Sequence, residues 1–166
     1  MNGYKAKFTE LHLLTNSEIM VTSKKTKVHF FSHDIPTRLR NTTNLKHFIE
    51  SIFEKEMQRL DSINYIFCSD KVILEINKKY LKHDFYTDVI TFDLSRDNKA
   101  ISAEVYVSIE RIRENAKKLG LSIKSELHRV LFHAALHLCG YKDKKKQDKE
   151  IMRKREEELL TRYFDQ

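Results

Sequence analysis

The sequence predicts an α+β fold, a small mixed β-sheet covered by helices. Two observations lead there. Short β-rich runs recur at 28–31, 63–67, 89–92 and 101–108. Between and after them, apolar residues repeat at three- and four-residue spacing, the pattern of helices with one wet face.

The first 24 residues show little periodicity and end in Lys24-Lys25-Thr26-Lys27. Met20 opens a stretch that reads as a fresh start, so 1–24 is expected to be a disordered N-terminal extension. Residues 25–166 are expected to form a single domain, and no repeat or linker divides them. Val28–Phe31 reads as a strand, followed by a turn at 32–36. Over 44–60, Leu45, Phe48, Ile49, Ile52, Phe53, Met57 and Leu60 form a helical stripe. Ile63–Phe67 is a strand, and Asp70 is a candidate N-cap for a helix running to about Tyr80. Val89–Phe92 and Ile101–Ser108 read as a hairpin turning at Asp97-Asn98. A helix over 109–119 stops at Gly120, Ser122 caps the next one to Leu138, and a charged helix over 149–163 closes the chain.

Composition narrows the classes. The 166-residue chain is 40% apolar and 33% charged, as a globular protein is. No apolar run approaches the roughly 18 residues of a membrane span. The first twenty residues lack the pattern of a secretory signal, so a cytoplasmic location and no membrane association are expected. Cys68 and Cys139 are too few for a disulfide framework and are expected as reduced, buried thiols. The formal net charge of +7 favours an anionic partner, of which nucleic acid is the commonest.

The informative stretch is HAALHLCGYKD, residues 133–143. His133 and His137 are four apart, so a helix stacks both rings on one face and can aim them at one ion. Gly140 suits the left-handed residue that ends a helix. The chain can then turn back and bring Asp143 to the same point. Two imidazoles and a carboxylate make a three-ligand set for zinc with a fourth position left for water. An isolated HxxxH pair is commonly incidental; the glycine stop and the aspartate after it set this one apart. His12, His29, His33, His47, His83 and His128 have no such spacing. Peptidases of the HExxH type need a glutamate where Ala134 stands, which disfavours peptide hydrolysis. Glu126, two turns away, reads as a carboxylate favoured by the helix start.

With these residues in view, HAALHLCGYKD resembles the HGxLHLxGYDH signature of the YbeY-type endoribonucleases, bacterial rRNA-maturation factors. The 77–80 and 87–92 segments resemble the N-x-x-Y and T-D-V-L-S-F segments of that family, and 101–105 falls at its G-D-I segment. Met152 and 156–159 resemble its closing M…E-x-E-x-L helix. The resemblance spans about 26–164. It departs at four places: Asp143 stands for the third metal histidine, Ala134 for a glycine, Ala103-Glu104 for the G-D pair, and Leu81 for an arginine implicated in activity.

The resemblance implies a zinc-dependent endoribonuclease specific for single strands, with one Zn(2+) per chain. Its role would be small-subunit rRNA 3′-end maturation and ribosome quality control. It implies metal ligands His133, His137 and Asp143. His133 is then the catalytic candidate, as a ligand of the metal-bound water. The general base stays open, with Asp88 and Glu104 as candidates. Lys82, His83, Lys142, Lys144, Lys145 and Lys146 are candidate RNA-binding residues, and Lys82 or His83 would stand in for the missing arginine. Tyr141 is either a base-stacking or a packed aromatic. The implied partners are single-stranded RNA and rRNA, the small ribosomal subunit, one of its proteins, and an Era-type GTPase. The competing reading is a non-catalytic RNA-binding assembly factor with a structural metal.

Overall fold

A computed structural model describes residues 5–7, 26–97 and 99–165, and for 5–7 the backbone only. Its centre is a five-stranded sheet in the order β1-β4-β5-β3-β2. The strands are β1 (Lys5–Lys7), β2 (Val28–Ser32), β3 (Leu60–Cys68), β4 (Val89–Asp93) and β5 (Ile101–Ser108). β4 and β5 are the expected hairpin, antiparallel from Val89 opposite Val107 to Asp93 opposite Ala103. The pairs β1–β4, β2–β3 and β3–β5 are parallel, so the sheet is mixed. The N-terminal extension expected over 1–24 falls mainly outside the described residues; Lys5–Lys7 within it form the edge strand β1.

Alternation decides which side chains face which layer. Ala103, Val105 and Val107 of β5 and Ile63, Tyr65 and Phe67 of β3 enter the main core. Helices α1 (Thr42–Lys55), α3 (Ile109–Leu119), α4 (Ile123–Leu138) and α5 (Lys146–Phe164) supply most of the rest of that core, with Val28, Leu60 and Val89 from the strands. A second apolar cluster joins Cys68, Ile90 and Phe92 to Ile73 of α2 (Asp70–Ile76). Every residue of β4 is buried, as a strand covered on both faces must be.

Helix α4 is the spine of the fold. Glu126 to Leu138 are buried on every side. The apolar stripe expected for it is therefore too narrow a picture, and Ile123, counted in that stripe, is exposed. A helix enclosed on all sides carries its polar residues into the interior, where they must pair.

Boundaries shift where local chemistry outweighs periodicity. The helix expected over 44–60 ends at Lys55, because Met57 takes a left-handed φ of 55°. The Met57 N–H donates to the Glu54 carbonyl at 3.1 Å and the Gln58 N–H to that of Phe53 at 2.8 Å, the Schellman pattern. Met57 is then 91% exposed, while Leu60 is buried at the start of β3. The N-cap of α2 is Ser69, whose hydroxyl accepts from the Val72 N–H. Asp70 instead bonds Ser108 and Arg111. Beyond α2 the chain makes a π-helical turn over Asn77–Leu81, closed by Lys82 at φ 59°. Gly120 and Ser122 act as expected, and α5 starts at Lys146, three residues early. Cys68 is buried and its thiol is pushed up to about 12 by burial; Cys139 is half-buried rather than buried as expected. Among the described residues no helix is long and apolar enough to cross a membrane.

Candidate metal centre

The site forms at the C-terminal end of α4. Gly140, at φ 101°, lets the chain reverse there. Its N–H donates to the His137 carbonyl at 3.0 Å, and the Tyr141 N–H to that of Leu136 at 3.1 Å. This Schellman stop carries Asp143 back beside the helix it has just left.

His133, His137 and Asp143 are all buried, and each offers a ligand atom within 4.8 Å of the others. The two rings stand nearly perpendicular, 84° apart, with Nε2 atoms 3.0 Å from each other. His137 Nε2 lies 3.7 Å from Asp143 Oδ2.

Proton placement makes the arrangement informative. His137 Nδ1 is 2.8 Å from the Tyr141 carbonyl oxygen, which can only accept, so Nδ1 carries the hydrogen. His133 Nδ1 is 2.5 Å from Glu156 Oε1, and a carboxylate imposes the same tautomer. In the neutral rings both Nε2 lone pairs then face one another. Asp143 Oδ2 joins them, buried without a hydrogen-bond partner. Three acceptors aimed at one point repel unless a cation lies among them. Burial, followed by the neighbouring His133, holds the His137 pKa below its ordinary value, which favours the neutral, ligating form. The donor set fits a divalent ion of the zinc type.

Behind His133 lies a network that the sequence did not disclose. Arg129 donates from Nε and Nη2 to both Glu126 oxygens at 2.8 Å. Its Nη1 reaches Glu156 Oε2 at 3.1 Å, and its Nη2 lies 3.7 Å from Asp88 Oδ2. Burial opposes the Arg129 charge, but the Glu126 hydrogen bonds and the charges of Glu156, Glu126 and Asp88 outweigh it and raise the pKa. Burial alone would lift the Glu156 pKa; His133 and Arg129 draw it below the ordinary carboxylate range. Glu156 thus ties the guanidinium to the imidazole, the carboxylate–histidine arrangement that orients a metal ligand.

The other sequence candidates disperse. Lys142 and Lys144–Lys146 are exposed and flank Asp143 along the chain. Lys82 and His83 sit at the π-turn instead. Lys82 Nζ donates to Lys79 O at 3.3 Å, and the His83 ring stacks on Phe85 with centroids 5.1 Å apart. Leu81 packs with the second apolar cluster. Tyr141 is a packed aromatic: its hydroxyl donates to Glu56, Arg155 covers its ring at 6.0 Å, and its carbonyl orients His137. Asp88 is buried and bonded by Asn115 at 3.3 Å. Glu104 accepts from Tyr106 at 3.2 Å, and its neighbours on β5, Ala103 and Val105, are the ones that enter the main core. Glu126 lies in the first turn of α4, as expected of a helix-start carboxylate, and is wholly buried against Arg129. Arg129 and Glu156 are the residues that sequence reasoning missed. The available signals were an arginine inside an apolar helix and a glutamate on the Met152–Leu159 stripe.

Residues 27–164 match the family model described as endoribonuclease YbeY. A Cytophaga hutchinsonii protein named endoribonuclease YbeY is 41% identical over 138 residues, covering 83% of this chain and 96% of that one. A protein of the same name from Flavobacterium psychrophilum is 44% identical over 130 residues, 78% of this chain and 92% of the relative. A Thermotoga maritima protein solved in solution superposes with a TM-score of 0.58 at 26% identity, over 83% of this chain and 89% of that one.

Proposed function

The chain belongs to the endoribonuclease YbeY family, and from that membership and the site's geometry we propose that it is a zinc-dependent endoribonuclease that cleaves single-stranded RNA. Its task is rRNA processing, at the small-subunit rRNA 3′ end, together with ribosome quality control in the cytoplasm. The observation that carries the reading is the convergence of His133 Nε2, His137 Nε2 and Asp143 Oδ2, three buried acceptors aimed at one point.

One zinc ion per chain, when bound, supplies a Lewis acid for a phosphoryl oxygen and lowers the pKa of water. The chain's own residues do the rest. Glu156 and the Tyr141 carbonyl hold the Nδ1 hydrogens and so keep both Nε2 lone pairs available to the ion. Lys142, Lys144, Lys145 and Lys146 hold the RNA backbone beside the site, giving affinity with little sequence information. Lys82 and His83, at the π-turn, are secondary phosphate contacts. The small ribosomal subunit, one of its proteins and an Era-type GTPase are the partners of this reading.

Leu81 favours a second reading. It packs in an apolar cluster where the resemblance has an arginine, so it offers a phosphate nothing. The alternative is an RNA-binding assembly factor that uses the ion structurally. Metal analysis and cleavage of single-stranded RNA, run on wild type and His133→Ala prepared identically, separate the two. One zinc per chain with cleavage lost in the variant supports the enzyme. Zinc without cleavage above the variant's background supports the assembly factor.

A further inference from the structure

Away from the metal cluster, a cavity of about 740 Å³ opens at the N-terminal end of α4. Arg38, Arg40 and Lys124 line it, and none of its lining residues is acidic. All three cations are exposed. Its wall is aromatic: His128 stacks on Tyr163 with centroids 4.9 Å apart, and Phe164 lies beside them, half-covered by Lys124 at 4.7 Å. Phe164 and Ile123 are 38% and 53% exposed. Asn41 and Asn44 add planar amides. Asn41 occupies the N-cap position of α1, yet its side chain makes no capping bond, so that amide is not spent on the helix.

Positive charge beside the part-exposed Phe164 ring suits an anion that also carries flat apolar surfaces. We propose that this cavity is a second, non-catalytic subsite for single-stranded RNA, which deepens the reading above and rests on it. The cations meet phosphates, the exposed Phe164 ring stacks on a base, and the asparagine amides meet base edges. An acidic peptide would use the cations but leave the rings without a partner. The nine residues from Lys124 to His133 place the two on opposite sides of α4, and Lys124 lies roughly 20 Å along the axis from His137. The subsite therefore contributes affinity and does not touch the reacting atoms.

The test is direct binding of a labelled oligouridylate, followed by fluorescence polarisation across a salt series. The Arg38→Ala/Arg40→Ala/Lys124→Ala variant is expected to bind at least tenfold more weakly. Its log–log salt slope should be shallower by about two, since three single-strand phosphate contacts are lost. Phe164→Ala should weaken binding roughly five- to tenfold with the slope unchanged, as a lost stacking contact does. Zinc content should match wild type in both. A control of equal charge, Lys71→Ala/Arg113→Ala/Lys117→Ala, removes exposed cations elsewhere and should lower affinity much less. Equal losses in groove and control variants, or no loss in the groove variants, overturn the subsite and leave the metal-site reading intact. A poly-glutamate peptide that binds wild type and is lost in the groove variant, while RNA binding stays, also overturns it. Failure of wild type to bind the oligouridylate at all removes the RNA reading itself along with the subsite.

Discussion

Arg129 and His133 are one turn apart on α4, and both are buried, yet their surroundings differ in kind. Arg129 is closed in by Glu126 and Glu156 at hydrogen-bond distance, with Asp88 beyond. His133 has one satisfied nitrogen, and its other nitrogen faces a histidine nitrogen 3.0 Å away. In the first cluster each carboxylate meets the Arg129 guanidinium. The second consists of acceptors without a donor. Three carboxylates around one guanidinium also leave a formal negative surplus next to the histidines, which favours a cation there. The two clusters share Glu156, so one stabilises the fold while it orients the other.

The comparison breaks most completely if a ligand is removed. His137→Ala should cost more than about a thousandfold in zinc affinity, since a three-ligand set becomes a two-ligand one. Equilibrium competition with a chromogenic chelator measures this. Next in size is Arg129→Met, which strands Glu126 and Glu156 in the interior. It should lower the stability of the metal-free chain by about 3–5 kcal/mol, read by urea unfolding. Adding Glu126→Gln to that variant should restore part of the loss, because one stranded charge is gone.

A smaller effect sharpens the shared role of Glu156. Glu156→Ala should weaken zinc binding about 10- to 100-fold by freeing the His133 ring to take the other tautomer. Glu156→Gln keeps an acceptor for Nδ1 and should recover most of that affinity. Equal losses in both variants would mean that the charge of Glu156, and not its hydrogen bond, is what His133 needs. The smallest effect concerns the helix ends. Met57→Gly relieves a left-handed methionine and should raise stability by about 1 kcal/mol, whereas Gly140→Ala should lower it by a similar amount and disturb Asp143.

Those two helix ends show what could be read from the sequence. Both α1 and α4 stop with the same pair of Schellman hydrogen bonds. Gly140 announces its stop, and with it the return of Asp143, so the clustering of His133, His137 and Asp143 was legible from spacing. Met57 announces nothing, and the apolar spacing runs straight past it to Leu60, so α1 was expected five residues too long. The β4–β5 hairpin was legible from alternation and its polar turn. Enclosure of α4 was not, because burial on all sides depends on what three other helices and the sheet bring to it. The Arg129 network was hidden for the same reason. Glu126 and Arg129 share a helix, but Glu156 arrives from α5 and Asp88 from the residue before β4, and no local pattern joins them. The basic candidates divided likewise: Lys142 and Lys144–Lys146 stay beside the site because they adjoin Asp143 in the chain, whereas Lys82 and His83 were grouped with them by charge alone.

The most direct test of the claim that the triad holds a cation is calorimetric titration of metal-free protein with zinc. Wild type should bind one ion per chain at a single tight site, with protons released to the buffer in proportion to imidazole protonation. His137→Ala, folded as judged by circular dichroism, should show no tight site. Tight one-to-one binding retained in that variant, or none in wild type, would contradict the account.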